Sequence, residues 1–456
     1  MEMKENKMGV MPVKQLIVSM SLPMMISMMV QALYNVVDSI FVAQLSENAL
    51  TAVTLAFPFQ NLMIAVGSGT GVGMNALLSR CLGEKHFDKS NKAANTGIML
   101  SVLSCLVFMI LGFACSGFFI SSQTNVPEIV SLGKTYLTIV QCMSFGLFFQ
   151  LTFERLLQST GKTMLSMASQ LTGAVINIIF DPILIFGMFG FPKLGVAGAA
   201  LATVMGQVIA AVVGGVLNIK YNNEIKLSFK SILTPDSKII EDIYIVGIPS
   251  ILMMSIGSVM TYLMNKILIV FSTTATAVFG VYFKLQSFFF MPVFGLNNGL
   301  IPVLAYNYGA KQKKRITEAL HFSIMLSVSI MIVGLIVFEL IPGQLLSMFN
   351  ASDAMKAIGI PALRIICLSF PIAGFCIILG SVFQAFSQSI YSLIISVTRQ
   401  LVVLIPVAWV LSLFGNVDVV WWAFPIAEIV SMVISICCYK KVHRKVLLNL
   451  GEDLQG

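Results

Sequence analysis

The stretch VINIIFDPILIF, residues 175–186, decides how this chain must be read. Nearly every position is apolar. Yet Asn177 and Asp181 lie four residues apart inside it, and Pro182 follows at once. A carboxylate and a helix breaker inside so apolar a run are costly in any medium, and most of all in hydrocarbon.

The rest of the chain identifies the medium. Of 456 residues, 57% are hydrophobic and 11% charged, against a charged share of about 25% in soluble domains. A soluble surface could not absorb that much apolar side chain. A bilayer core needs roughly 20 apolar residues per helical span. Twelve such runs occur, near residues 16–42, 49–78, 94–121, 130–153, 163–190, 194–219, 243–270, 275–308, 317–342, 357–382, 389–414 and 419–439. Several exceed a minimal span, so tilt or extension into water is expected. Barrel strands would be about 9–11 residues of alternating polarity, which these runs are not. The first run is too long for a signal peptide, lacks an A-x-A-like site and carries Asp38, so it reads as a span.

Composition also narrows the chemistry. The eight cysteines lie mostly within apolar runs and form no C-x-x-C pair, so neither a disulfide framework nor a zinc site is expected. His86, His321 and His443 fall at loops or helix ends. No Ser/His/Asp set, H-E-x-x-H or phosphate-binding loop is present, which argues against a membrane enzyme. No cofactor is implied. The net charge of +8 is distributed by loop. With the N-terminus inside, the interior segments hold Lys4, Lys7 and Lys14, then Arg80, Lys85, Lys89 and Lys92, Arg155 and Lys162, Lys220, Lys226, Lys230 and Lys238, Lys311, Lys313, Lys314 and Arg315, and Lys440, Lys441, Arg444 and Lys445; the exterior ones hold Lys134, Lys193 and Lys356. This bias predicts twelve spans with both ends cytoplasmic. The basic loops report topology and contact with anionic lipid, not nucleic acid, for which no aromatic-basic motif is present.

The chain repeats itself at a constant offset of 226 residues: Pro23 to Pro249, Gln60 to Gln286, Gly83 to Gly309, Gln158 to Gln384. Six spans separate the copies, an even number, so the repeat is parallel. The predicted fold is an all-α polytopic membrane protein of twelve helices in two parallel six-helix lobes, related by a pseudo-two-fold axis along the membrane normal. The expected segments are a cytoplasmic N-terminus (1–14), a first lobe (15–220), a polar linker (221–242), a second lobe (243–440) and a cytoplasmic tail (441–456). Two similar lobes about a cleft suit transport by rocking, although channels and scaffolds also duplicate.

The halves differ where chemistry would sit. Tyr34, Asn35 and Asp38 share one helix face, and so do Asn177 and Asp181. Pro182 cannot donate to the Ile178 carbonyl, leaving that oxygen free. Two carboxylates, an amide and a freed carbonyl would suit Na⁺. Burial and like charge oppose double ionisation, so the same group could hold H⁺. A static polar pair that locks helix packing is the plainer alternative. Pro23, about four turns before Asp38, and Pro182 are the expected bending points. At the offset of 226, Asp181 maps to Val407 and Asn177 to Val403. The second half instead carries Lys266, Lys284, Arg364, Arg399 and Glu428. Gln60, Lys266, Lys284, Gln286, Arg399 and Glu428 are the expected substrate-cavity residues, with Lys266 and Arg399 placed near mid-span.

At LYNVVDSIF (33–41), N-x-x-x-D-P (177–182) and GVAGAALAT (195–203), the chain resembles the multidrug and toxic compound extrusion (MATE) transporters. Within them it is similar to the bacterial branch with an acid in the first helix and an Asn/Asp pair in the fifth. KLQSFFFMPVFGLNNGLIPVLAYNYGA (284–310) and AFPIAE (423–428) resemble the second-half hallmarks. The resemblance spans residues 15–440. It implies a monomeric 6+6 helix antiporter of the bacterial plasma membrane, exporting amphipathic organic compounds in exchange for Na⁺ or H⁺. It also implies a cation site of Asp38, Asn177, Asp181 and Thr203. A flippase for a lipid-linked or anionic substrate of the same superfamily is the alternative reading, drawing on the second-lobe cations.

Overall fold

A computed structural model describes residues 5–349, 351–448 and 450. All regular structure among them is helical. In hydrocarbon each backbone N–H and C=O must be satisfied within its own segment, which a helix achieves. The principal helices are α1 (Val13–Ala43), α2 (Glu47–Gly83), α3 (Phe87–Ser121), α4 (Pro127–Cys142), α5 (Phe145–Ser159), α6 (Thr163–Phe186), α7 (Val196–Tyr221), α8 (Ser237–Leu268), α9 (Thr273–Gly309), α10 (Lys313–Leu340), α11 (Asp353–Cys367), α12 (Phe370–Ala385), α13 (Ser389–Val397), α14 (Ile405–Ser412) and α15 (Ala423–Val442). Among the described residues, ten helical segments are long and apolar enough to cross a bilayer, and twelve when the bent pairs α4–α5 (46°) and α11–α12 (48°) each count as one span.

The repeat is written into the backbone. Ser46 and Ser272 each cap the following helix by accepting from the N–H three residues on. Lys85 and Lys311 both take left-handed backbone, with φ of 59° and 56°. Gly161 does so at 87°, and its counterpart Ser387 at 57°, a conformation that favours glycine. All three pairs stand 226 residues apart.

The contacts gather the chain into two compact units, Ile26–Ile251 and Met1–Met25 with Leu252–Gly456. The boundaries therefore fall inside α1 and α8, two residues beyond Pro23 and Pro249, rather than in the 221–242 linker. Glycines explain this. In the first unit, a Cβ on Gly69 would lie 2.5 Å from Ile251 and one on Gly73 2.1 Å from the Ile243 carbonyl oxygen, so α2 runs against the first half of α8. In the second, Gly295 and Gly299, their equivalents, let α9 lie against Met25 and Ser21 of α1. Backbone approach of this kind is what small residues permit in membranes.

The linker packs with the first unit. Asn95 Nδ2 donates to the Lys226 carbonyl at 3.0 Å, and Asn91 Oδ1 accepts from the Lys226 N–H at 2.8 Å. Lys89 pairs with Asp242 at 3.0 Å and Lys162 with Glu224 at 3.2 Å. In the other unit Arg315 clasps the turn before α1. It donates to the carbonyls of Met8 (3.0 Å) and Met11 (2.8 Å) and to Asn307 Oδ1 (3.0 Å). Hydrogen bonds from a charged donor contribute about 1.5–3 kcal/mol each. Arg315→Ala is expected to lower the thermal unfolding midpoint by several degrees while Arg315→Lys recovers part of it; an unchanged midpoint would count against the clasp.

Candidate ion and substrate sites

Within the unit Ile26–Ile251, helices α1, α6 and α7 carry the first site. Helices α6 and α7 approach through glycine: a Cβ on Gly206 would stand 2.6 Å from the Gly173 carbonyl oxygen and 3.2 Å from Asn177 Cβ. Further along, Gly198 lies against the Leu184 carbonyl, where a Cβ would come within 2.4 Å. The run GVAGAALAT is thus the surface that brings Thr203 to Asn177. Helix α1 meets α6 through longer side chains: Gln170 Nε2 donates to Gln31 Oε1 at 3.1 Å on one side, and the Phe41 and Phe186 rings stand 6.3 Å apart on the other. The level of Asp38 and Asp181 falls between these two contacts.

There the two carboxyl groups lie close enough to act electrostatically on each other. Asp181 is fully buried, Asn177 is 3% exposed and Thr203 8%. With one amide orientation, Asn177 Nδ2 donates to Thr203 Oγ1 at 3.4 Å. Turned over, it donates to Asp181 Oδ2 at 3.3 Å and its Oδ1 accepts from the Thr203 N–H at 3.1 Å. Oδ1 of Asp38 and Oδ1 of Asp181 are both buried without a hydrogen-bond partner. Tyr34 is in electrostatic reach of both acids. So is Tyr136, whose hydroxyl donates to Gln60 Oε1 at 3.4 Å. Asn35 lies one turn from Asp38 and is exposed. Pro182 sits within continuous α6, and Pro23 within continuous α1.

Glu154 escaped the reading of the sequence because it falls one residue beyond the apolar run 130–153. It is buried, accepts from Gln150 Nε2 at 2.9 Å and acts electrostatically on Tyr34. Its Glu-Arg neighbourhood resembles a helix end by composition, and only the length of α5, through Ser159, carries it inward.

The unit Met1–Met25 with Leu252–Gly456 carries the other expected residues. Arg399 Nη1 meets Glu428 Oε1 at 3.4 Å. Lys266 is not near mid-span: it lies in the last turn of α8, exposed, with Nζ 5.5 Å from the Tyr262 ring centre. Being two residues from the helix end, it can reach an interface along its own stem. Lys284 is exposed, Gln286 is partly buried, and Arg364 pairs with Glu339 at 3.9 Å.

These acids on packed, membrane-length helices define a polytopic transport protein, and the family follows from comparison. The MatE family model matches residues 23–183 and again 249–410, two segments whose starts stand 226 residues apart. The chain belongs to that family, whose members are transporters and not enzymes. It is 26% identical over 447 residues to the multidrug export protein MepA of Staphylococcus aureus strain MRSA252, covering 98% of this chain and 97% of that one. To the MepA of Staphylococcus haemolyticus strain JCSC1435 it is 27% identical over 438 residues, covering 95% of each. A solved structure described as the outward-facing conformation of a multidrug resistance MATE family transporter superposes with a TM-score of 0.91, at 25% identity, over 98% of this chain and 99% of the other. The fold is the twelve-helix, two-lobe fold of MATE transporters, in a multi-pass membrane protein.

Proposed function

We propose that this chain exports amphipathic organic compounds from the bacterial cytoplasm by alternating access, with both termini cytoplasmic, and that Na⁺ or H⁺ bound at Asp38 and Asp181 drives it. One observation carries the reading: a buried carboxyl group, Asp181, and a partly buried one, Asp38, from different helices, each with a buried oxygen that has no hydrogen-bond partner, beside an amide and a hydroxyl. A purely structural pair would be expected to satisfy those oxygens, because leaving them bare costs about 1–3 kcal/mol each. The donor set is hard oxygen, which fits Na⁺ or a proton. Among the described residues, no three His, Cys, Asp or Glu side chains cluster as a multivalent metal centre would need.

Asn177 joins the acid to the neighbouring helix: its Nδ2 donates to Asp181 Oδ2 and its Oδ1 accepts from the Thr203 N–H. The acid is thereby tied to the α6–α7 contact at Thr203. The protein acts as a monomer, with its basic loops against anionic lipid. The flippase reading calls for uncompensated cations; Arg399 is paired with Glu428 and Lys266 lies at a helix end, which leaves that reading Lys284 among the expected cavity cations.

Proteoliposomes carrying the purified chain test the coupling. Dye export is expected to follow an imposed gradient of one coupling ion and to ignore the other. Export indifferent to both Na⁺ and pH gradients would remove the antiport reading.

A further inference from the structure

Helices α13 and α14 of the second half correspond to α6 of the first, yet they do not form one regular helix. Residues Thr398–Leu404 between them adopt a π-helical turn. Such turns occur frequently at functional sites. At the offset of 226, Arg399 stands where the first half has Gly173, and Glu428 where it has Ala202, beside Thr203. The second lobe therefore builds an ion pair on the two helices that, in the first lobe, carry the small-cation site.

Three features of that pair point to a ligand. The contact is single and long, 3.4 Å from Nη1 to Oε1, not the bidentate fork of a settled Arg–carboxylate pair. Glu428 Oε2 is buried and without a hydrogen-bond partner, although the side chain is 14% exposed and that of Arg399 25%. Aromatic rings lie alongside: Phe424, one turn from Glu428 on α15, stands 5.9 Å from both Tyr282 and Phe279, and Phe283 lies 5.6 Å from Tyr282. Tyr282 is in electrostatic reach of both Glu428 and Arg399. Phe279 and Tyr282 are buried, whereas Phe283 and Phe424 are partly exposed; an unpartnered carboxylate oxygen one helical turn from a partly exposed ring is chemistry that can receive a lipophilic organic cation.

We infer that Arg399 and Glu428 form an exchangeable pair that reads substrate charge: an organic cation takes Glu428 from Arg399, and Arg399 holds the site neutral when no cation is bound. This rests on the export reading above. The first lobe thus handles the driving ion and the second the cargo, on equivalent helices.

The test is equilibrium binding to the full chain in detergent, using three probes of similar size: tetraphenylphosphonium (cation), triphenylphosphine oxide (neutral) and tetraphenylborate (anion). Glu428→Gln is expected to weaken tetraphenylphosphonium binding about tenfold, and Arg399→Gln to tighten it about threefold, because the two side chains compete. Glu428→Asp should retain most of the affinity, and none of the three variants should alter the neutral probe by more than about twofold. Opposite signs separate this role from a structural one. Equal losses for cation and neutral probe in both variants would make the pair a packing device and overturn the inference. A response confined to tetraphenylborate would assign the reading to Arg399 and overturn it too. Wild-type chain that binds none of the three would instead strike at the export reading itself, before any variant is made.

Discussion

Asp181→Asn is expected to abolish uphill efflux while leaving a folded, membrane-inserted protein. The driving term is small per ion and decisive in sum. One charge crossing 100 mV supplies about 2.3 kcal/mol, equal to a concentration ratio of about fiftyfold. Without an ionisable group at position 181, occupancy of the site no longer changes with the gradient, and the steady-state ratio for substrate should fall toward one. Stability should survive. Asp181 is fully buried with Oδ1 unpartnered, and an amide of equal size removes a buried charge without opening a cavity. Asp38→Asn should behave alike, and the double variant should lose no more than either alone, because the two acids act as a unit. Substrate accumulation ratios in proteoliposomes, with folding checked by thermal melt, measure this. Retention of a gradient-driven ratio in both single variants would end the assignment.

Gly206→Val is expected to have the next largest effect, on assembly and transport together. A Cβ at this position would already stand 2.6 Å from the Gly173 carbonyl oxygen, which is backbone and cannot rotate away. Two further methyl groups must drive α6 from α7. That separation costs about 1–3 kcal/mol in overpacking and parts Asn177 from Thr203. Gly280→Ala is the control, since a Cβ there meets nothing within 4 Å. The expected result is a depressed melting midpoint and lost efflux for Gly206→Val, with Gly280→Ala unchanged. If Gly206→Val melts and transports as wild type does, the close α6–α7 contact is not what positions the site.

How far the sequence could be read depended on whether a feature was local. Asn177 and Asp181 share a face because four residues make about one helical turn, and no neighbour is needed to know it. The offset of 226 between Pro23 and Pro249 is likewise a property of the string, and the paired Ser46 and Ser272 caps repeat it in the backbone. Lys266 shows the opposite case. Its apolar surroundings suggested mid-span, but the helix ends at Leu268, and hydropathy alone does not register where a helix stops. Glu154 was missed for the same reason, since its helix continues to Ser159.

What the string determined by itself was the medium, the helices, the duplication and the two acids, because apolarity and periodicity are summed along the chain. The tertiary structure decided which residues meet across helices: Asn177 with Thr203, 26 residues on, and Arg399 with Glu428, 29 residues on. It also decided that α1 and α8 each divide between two units. Those outcomes follow from how closely backbones approach and at what level, and that is set by where a glycine on one helix finds a carbonyl on another, a condition that neither helix carries alone.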